Sequence, residues 1–157
     1  MILELDAFID SLPQYCRILG LDLGSKTIGL ALSDPARTVA SPLETIKRIK
    51  FTQDAEHLAE IIKKREVGAL ILGLPTNMDG SEGPRCQSTR QFARNFSKLG
   101  FDLPISFWDE RLSTSAVERF LIDEADMSRA KRGEVVDKMA AGFILQGALD
   151  MMQHKKI

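Results

Sequence analysis

Three placements of acidic residues in this sequence call for an explanation. Asp22 closes the otherwise apolar run Arg17-Ile18-Leu19-Gly20-Leu21 beside a glycine turn. Asp109 and Glu110 follow Phe107-Trp108 at the end of another apolar run. Asp137 shares its helical face with Ala140, Ala141, Ile144 and Ala148, small or apolar residues that let a helix lie close to a sheet. A carboxylate on a packed face is costly unless it is paired or holds a metal. Acids converging from the ends of several elements, without His or Cys, form a hard oxygen site suited to Mg²⁺ or Mn²⁺. Two such ions, about 3.5–4 Å apart, activate water and stabilise the leaving oxygen in phosphodiester hydrolysis. The alternative is that each acid caps a helix or pairs with a base.

The elements that would carry these acids are legible from periodicity. Residues 17–22 predict a buried strand, and Gly24-Ser25-Lys26 a turn. Thr27 to Asp34 alternates large and small residues, as an antiparallel partner strand would. A third strand spans Thr38 to Ile46, with Pro42 at an edge or bulge. A helix over 52–66 follows, with Leu58, Ile61 and Ile62 inward, then a central strand over Ala69–Leu74. A polar loop runs from Thr76 to Arg85. A helix over 86–99 places Phe92, Phe96 and Leu99 on one face and Arg90, Arg94 and Lys98 on the other. The fifth strand is Ile105–Trp108. A helix begins near Ser113, with Val117, Phe120 and Leu121 inward. Asp123 to Gly133 reads as a charged loop, and a last helix runs from Glu134 to Met152. Residues 1–16 stand apart as a short amphipathic helix stopped by Pro13, so the chain divides into an extension and a domain over 17–157. A hairpin start followed by β-α-β units implies an α/β fold: a five-stranded mixed sheet, its first three strands antiparallel, flanked by helices.

Basic residues gather near the same acids. Lys26 and Arg111 adjoin acid positions, and Arg129, Lys131 and Arg132 precede Asp137. A phosphate backbone needs such positioning contacts. Ordinary solvated surface is the alternative for residues 129–132 and for the Arg90, Arg94 and Lys98 stripe. The loop Asn77 to Gly83 contains Gly80 and Gly83, which permit close backbone approach, and it precedes a helix N-terminus that favours an anion; Asn77 and Gly80 are therefore candidate phosphate contacts. Gly24-Ser25-Lys26 lacks the spacing of a Walker loop. His57 and His154 stand in unpromising places, and Cys86 has no base nearby in sequence to make it a nucleophile.

Composition sets the bounds. The chain has 157 residues, 44% hydrophobic and 27% charged, with a formal net charge of −1, the profile of one soluble domain rather than a bulk polyanion binder. No apolar run is long enough to span a membrane, and the acidic start does not read as a signal peptide. Two isolated cysteines, Cys16 and Cys86, make no disulfide framework and suit a reducing cytoplasm.

Four stretches together resemble the bacterial YqgF family: Gly20-Leu21-Asp22-Leu23-Gly24-Ser25-Lys26-Thr27-Ile28-Gly29 with Ala31, Ser33 and Asp34; Gly73-Leu74-Pro75 with Asn77 to Gly83; Asp109-Glu110-Arg111-Leu112-Ser113-Thr114; and Val136-Asp137-Lys138-Met139-Ala140-Ala141 with Ile144-Leu145-Gln146. In order they cover residues 17–149, leaving the extension outside. The resemblance implies a ribonuclease H-like fold and a nuclease, associated either with 5′-end maturation of pre-16S rRNA in ribosome biogenesis or, by fold analogy, with Holliday junction resolution. It implies that Asp22 and Asp137 are metal-ligating catalytic acids, with the third supplied by Glu110 or Asp109, Glu110 being favoured. The implied partners are Mg²⁺ or Mn²⁺ and a nucleic acid, pre-16S rRNA before a four-way DNA junction, with a ribosomal particle as a further partner and the protein as monomer or homodimer. Gly73-Leu74-Pro75 has no carboxylate where related resolvases carry one. Two other functions compete. Asp22-Leu23-Gly24 before a hairpin also opens actin-like ATPases, which close two such domains around ATP; a non-catalytic RNA-binding assembly module would have no use for clustered acids beside phosphate.

Overall fold

The structure is a computed structural model that describes residues 1–77, 79–110 and 129–155, without the side chains of 129–137 and 155. Its centre is a five-stranded sheet in the order β3-β2-β1-β4-β5. β1 (Arg17–Leu23), β2 (Thr27–Ser33) and β3 (Ala40–Lys47) form an antiparallel meander. β4 (Val67–Leu74) pairs parallel to β1, and β5 (Ile105–Asp109) pairs parallel to β4. This is the expected α/β arrangement. The three parallel strands finish at one edge of the sheet, where open α/β folds place their ligands. Asp22 and the Asp109-Glu110 pair come at that edge.

Strand alternation divides the core in two. Leu19, Leu21 and Leu23 of β1 face α2 (Phe51–Lys64) and α3 (Pro84–Ser97), packing with Leu58, Ile62, Phe92 and Phe96. Phe51, Phe92, Phe96 and Phe101 continue this layer through successive ring contacts. Ile18 packs on the other face, which is covered by the long helix α4 (Arg129–Lys155) through Ala141, Ile144, Leu145, Ala148 and Leu149. A Cβ on Gly20 would come within 2.9 Å of Leu145 Cβ and 3.2 Å of the Ala141 carbonyl, so close approach of α4 requires glycine there. Gln146 fastens α4 to the third strand by accepting from the Ala40 N–H at 2.8 Å and donating to the Thr38 carbonyl at 3.0 Å.

The amino-terminal segment joins this second face. Ile2 bridges Ile105 in parallel, and α1 (Leu5–Ser11) buries Phe8 completely among the residues beneath α4.

Several local readings are revised. The last helix begins at Arg129, not Glu134, so residues 129–133 are helix rather than loop. Ala130, Lys131 and Arg132 are good helix formers, and the surrounding helix tolerates the roughly 1 kcal/mol cost of Gly133. Leu99 is 51% exposed beyond the end of α3 instead of sharing the face of Phe92. The predicted helix from Ser113 and the loop positions 123–128 lie outside the described residues.

Candidate active site

Asp22 is the penultimate residue of β1 and half-buried, on the sheet face covered by α4. Its antiparallel partner in β2 is Gly29. On its other side, one step beyond the Leu21–Leu72 pair, the parallel partner in β4 is Gly73. The carboxylate therefore rises between two positions without side chains. Gly73 is in register with Trp108, two residues before Glu110. Glu110 reaches back over that glycine: a Cβ on Gly73 would lie 2.6 Å from Glu110 Oε1 and 2.9 Å from its Cγ, and would collide with Ile144 Cδ1 of α4. Asp22 and Glu110 thus belong to one face and one edge, separated by a glycine floor.

Asp109 diverges from its neighbour. It ends β5 and accepts a hydrogen bond from Thr76 Oγ1 at 2.6 Å. It lines a surface cleft with Ile2, Leu3, Glu4 and Arg90. The sequence favours Glu110 over Asp109 as the third acid but leaves both open; in the structure the two side chains have different neighbours.

Asp137 lies in α4, one turn before Ala141, the residue whose carbonyl meets Gly20. Its side chain is outside the described residues, as are those of Arg129, Lys131 and Arg132, and Arg111 is outside altogether. Among the described residues, no three His, Cys, Asp or Glu side chains are grouped closely enough to hold a metal ion. The donor chemistry nevertheless suits one: two hard carboxylates on the same face, over a floor that a Cβ would fill.

Lys26 is exposed at the tip of the β1–β2 turn. The loop carrying Asn77 and Gly80 closes on itself. The Asn77 N–H donates to the Ser81 carbonyl and the Gly80 N–H to the Asn77 carbonyl, each at 2.9 Å. Both backbone N–H groups are thereby engaged inside the loop, and the positive φ of Gly80, 88°, explains its glycine.

The predicted arginine stripe on α3 is broken. Arg90 Nε and Nη2 donate to the two oxygens of Glu82 at 2.7 and 2.8 Å, and its guanidinium lies 5.0 Å from the Phe107 ring centre. Hydrogen bonding to Arg90 holds the Glu82 carboxyl below its usual range, and Glu82 in turn raises Arg90. Cys86 is fully buried, and burial pushes its thiol up, the reverse of an activated nucleophile. His57 is exposed on α2, 3.7 Å from Glu44, away from the acids.

Sequence reasoning missed the role of Gly29 and Gly73. Both stood inside quoted motifs, but only strand register shows that they flank Asp22.

The sequence profile of RuvX, described as a Holliday junction resolvase, matches residues 16–151. Relatives named "Putative pre-16S rRNA nuclease" include one from Caulobacter vibrioides, 59% identical over 152 residues and 97% of each chain. Another, from Roseobacter denitrificans, is 61% identical over 155 residues, 98% of this chain and 94% of its own. A third, from Paramagnetospirillum magneticum, is 66% identical over 140 residues, 89% of each. Among solved structures, Thermus thermophilus RuvC in complex with a Holliday junction substrate has a similar fold, with TM-score 0.55 and 14% identity over 88% of this chain and 96% of that one.

Proposed function

This chain belongs to the RuvX (YqgF) family, and on that premise we propose that it is a metal-dependent nuclease that hydrolyses phosphodiester bonds in 5′-end maturation of pre-16S rRNA. The observation that carries the reading is the basin around Asp22: glycines on both flanks, with the Glu110 carboxylate over one of them. With no side chain at Gly73, Glu110 and Ile144 fill the space above it, and the Glu110 carboxylate comes to the same face as Asp22.

Asp22, Glu110 and Asp137 would hold Mg²⁺ or Mn²⁺. When bound, such ions supply Lewis acidity to the attacking water and charge compensation at the phosphate. The chain's own contribution is positioning. Asp22 is held by a strand paired on both sides, and Glu110 by its seat against Gly73 and Ile144. Asp109 is a supporting residue that ties the end of β5 to Thr76. Lys26 would meet the backbone from the β1–β2 turn, Arg111 from the residue after Glu110, and Arg129, Lys131 and Arg132 from the start of α4, whereas the Asn77 and Gly80 N–H groups are spent inside their own loop. The substrate's setting is the cytoplasm, which suits two free cysteines. Among the described residues no helix is long and apolar enough to cross a membrane. The name of the RuvX profile makes a four-way DNA junction the alternative substrate.

The test is cleavage of two labelled substrates with and without Mg²⁺ or Mn²⁺: an RNA spanning the 5′ leader of 16S rRNA, and a four-way DNA junction. Metal-dependent cuts in the RNA that vanish in Asp22→Asn are expected. Symmetric nicks in the junction alone would replace the RNA reading and require a dimer. Full activity of Asp22→Asn would overturn the metal site.

A further inference from the structure

Consecutive residues of β1 serve opposite faces of the sheet. Asp22 belongs to the α4 face, while Leu23 starts a separate cleft of about 560 Å³ between the β1–β2 turn and the first turns of α3. Its lining includes Ser25, Lys26, Arg48, Arg85 and Ser88, and among the described residues no carboxylate. The three cations come from the turn, the residue after β3, and α3. Among the described residues none has a carboxylate partner, in contrast to Arg90.

Arg48 is held in place. Its backbone N–H donates to the Lys26 carbonyl at 2.9 Å, and Nη1 donates to the Gly24 carbonyl at 2.6 Å. Its guanidinium carbon lies 5.8 Å from the Phe92 ring centre. One of five guanidinium donors is spent on the turn, so the others remain for a ligand without further ordering of the side chain. Lys26 and Arg85 are exposed, and the Ser25 and Ser88 hydroxyls are exposed beside them. Three positive groups with hydroxyl donors, in a space of nucleotide size, match a sugar-phosphate unit.

We propose that this cleft seats one unpaired nucleotide of the substrate strand, across the β1–β2 turn from the acids: Lys26, Arg48 and Arg85 hold its phosphate, and Ser25 and Ser88 its sugar hydroxyls. The assignment rests on the nuclease reading and adds to it a substrate class, a strand that is single-stranded next to the cut. Since Leu23 follows Asp22 directly, a strand leaving the acids reaches the cleft by crossing the β1–β2 turn. Arg85 and Arg48 are positioning residues, not catalytic ones.

The test measures binding separately from cleavage. Asp22→Asn protein without metal is titrated with a single-stranded RNA and with a fully paired RNA duplex, across a series of salt concentrations. Adding Arg85→Ala should weaken single-strand binding about 3- to 10-fold and reduce the salt slope by about 0.7, the value for one phosphate contact on a single strand. Duplex binding should not change. Lys63→Ala, which removes a charge from α2 away from the cleft, should change neither. In the active protein, Arg85→Ala should raise KM for a substrate with an unpaired flank while kcat holds. Unchanged single-strand affinity and salt slope would overturn the proposal, and so would an equal loss on the duplex. Binding of free uridine monophosphate as tightly as the strand would also overturn it, by making the cleft a free-nucleotide site. Because binding is read in the Asp22→Asn background, failure of the metal reading leaves this result intact.

Discussion

Gly73 and Glu110 occupy the same space from two strands: the carboxylate of one lies where the side chain of the other would be. The carboxylate is thereby drawn over the sheet toward the central strand β1. Gly73→Ala should force Glu110 and Ile144 aside, at an overpacking cost of about 1–3 kcal/mol. Cleavage should fall at least tenfold at temperatures where the variant is folded. A thermal melt together with an activity assay checks both, and undiminished activity in a folded Gly73→Ala protein would mean that the seat of Glu110 is not needed.

Asp109 and Glu110 should separate cleanly in function. Glu110→Gln keeps the shape and removes the charge, so it should abolish metal-dependent cleavage with little change in stability. Asp109→Asn should keep most activity and lose roughly 1 kcal/mol of stability through a weakened bond from Thr76. Measuring both variants on one substrate decides between them; the reverse pattern would make Asp109 the ligand.

Asp34 gives the fold an acid-sensitive corner. Its carboxylate accepts from the Thr38 and Val39 N–H groups at 2.7 and 3.0 Å and from Thr38 Oγ1 at 2.8 Å. The Val39 N–H, with the Thr38 groups, holds the carboxyl below the ordinary value of 3.8. A carboxyl with a lowered folded-state pKa adds stability above its unfolded value, and that stability is lost as pH falls through the folded value. Asp34→Ala should therefore destabilise the protein by about 1 kcal/mol at neutral pH, as loss of a cap does. The difference from the parent should shrink only below about pH 4. A difference that stays constant down to pH 2 would show that the carboxylate charge contributes nothing.

Cys86 should be inert. It is fully buried and its thiol is raised by that burial. An aromatic disulfide reagent at pH 7.5 should leave it unmodified until the protein is denatured, and Cys86→Ala should keep nuclease activity while costing stability. Rapid modification of the native thiol with loss of activity would contradict this.

Local periodicity carried much of the reading. Alternation in β1 and β2, the continuous apolar run of β4 and the acids at the ends of β1 and β5 are properties of neighbouring residues, and they were enough to lay out a mixed five-stranded sheet with Asp22 and Glu110 among its candidates. The blurred places were also local. Charge and a glycine disguised the first turn of α4, although Ala130, Lys131 and Arg132 are good helix formers. What no local pattern contains is register. That Gly29 and Gly73 flank Asp22, that Glu110 turns toward Gly73 while Asp109 turns to Thr76, and that Arg48 and Arg85 meet Lys26 around one cleft all depend on pairings between distant parts of the chain. The sequence by itself determined which residues have the chemistry. Only the tertiary structure decided which of them share a face, because a one-residue change in strand pairing would turn every one of those side chains to the opposite side of the sheet.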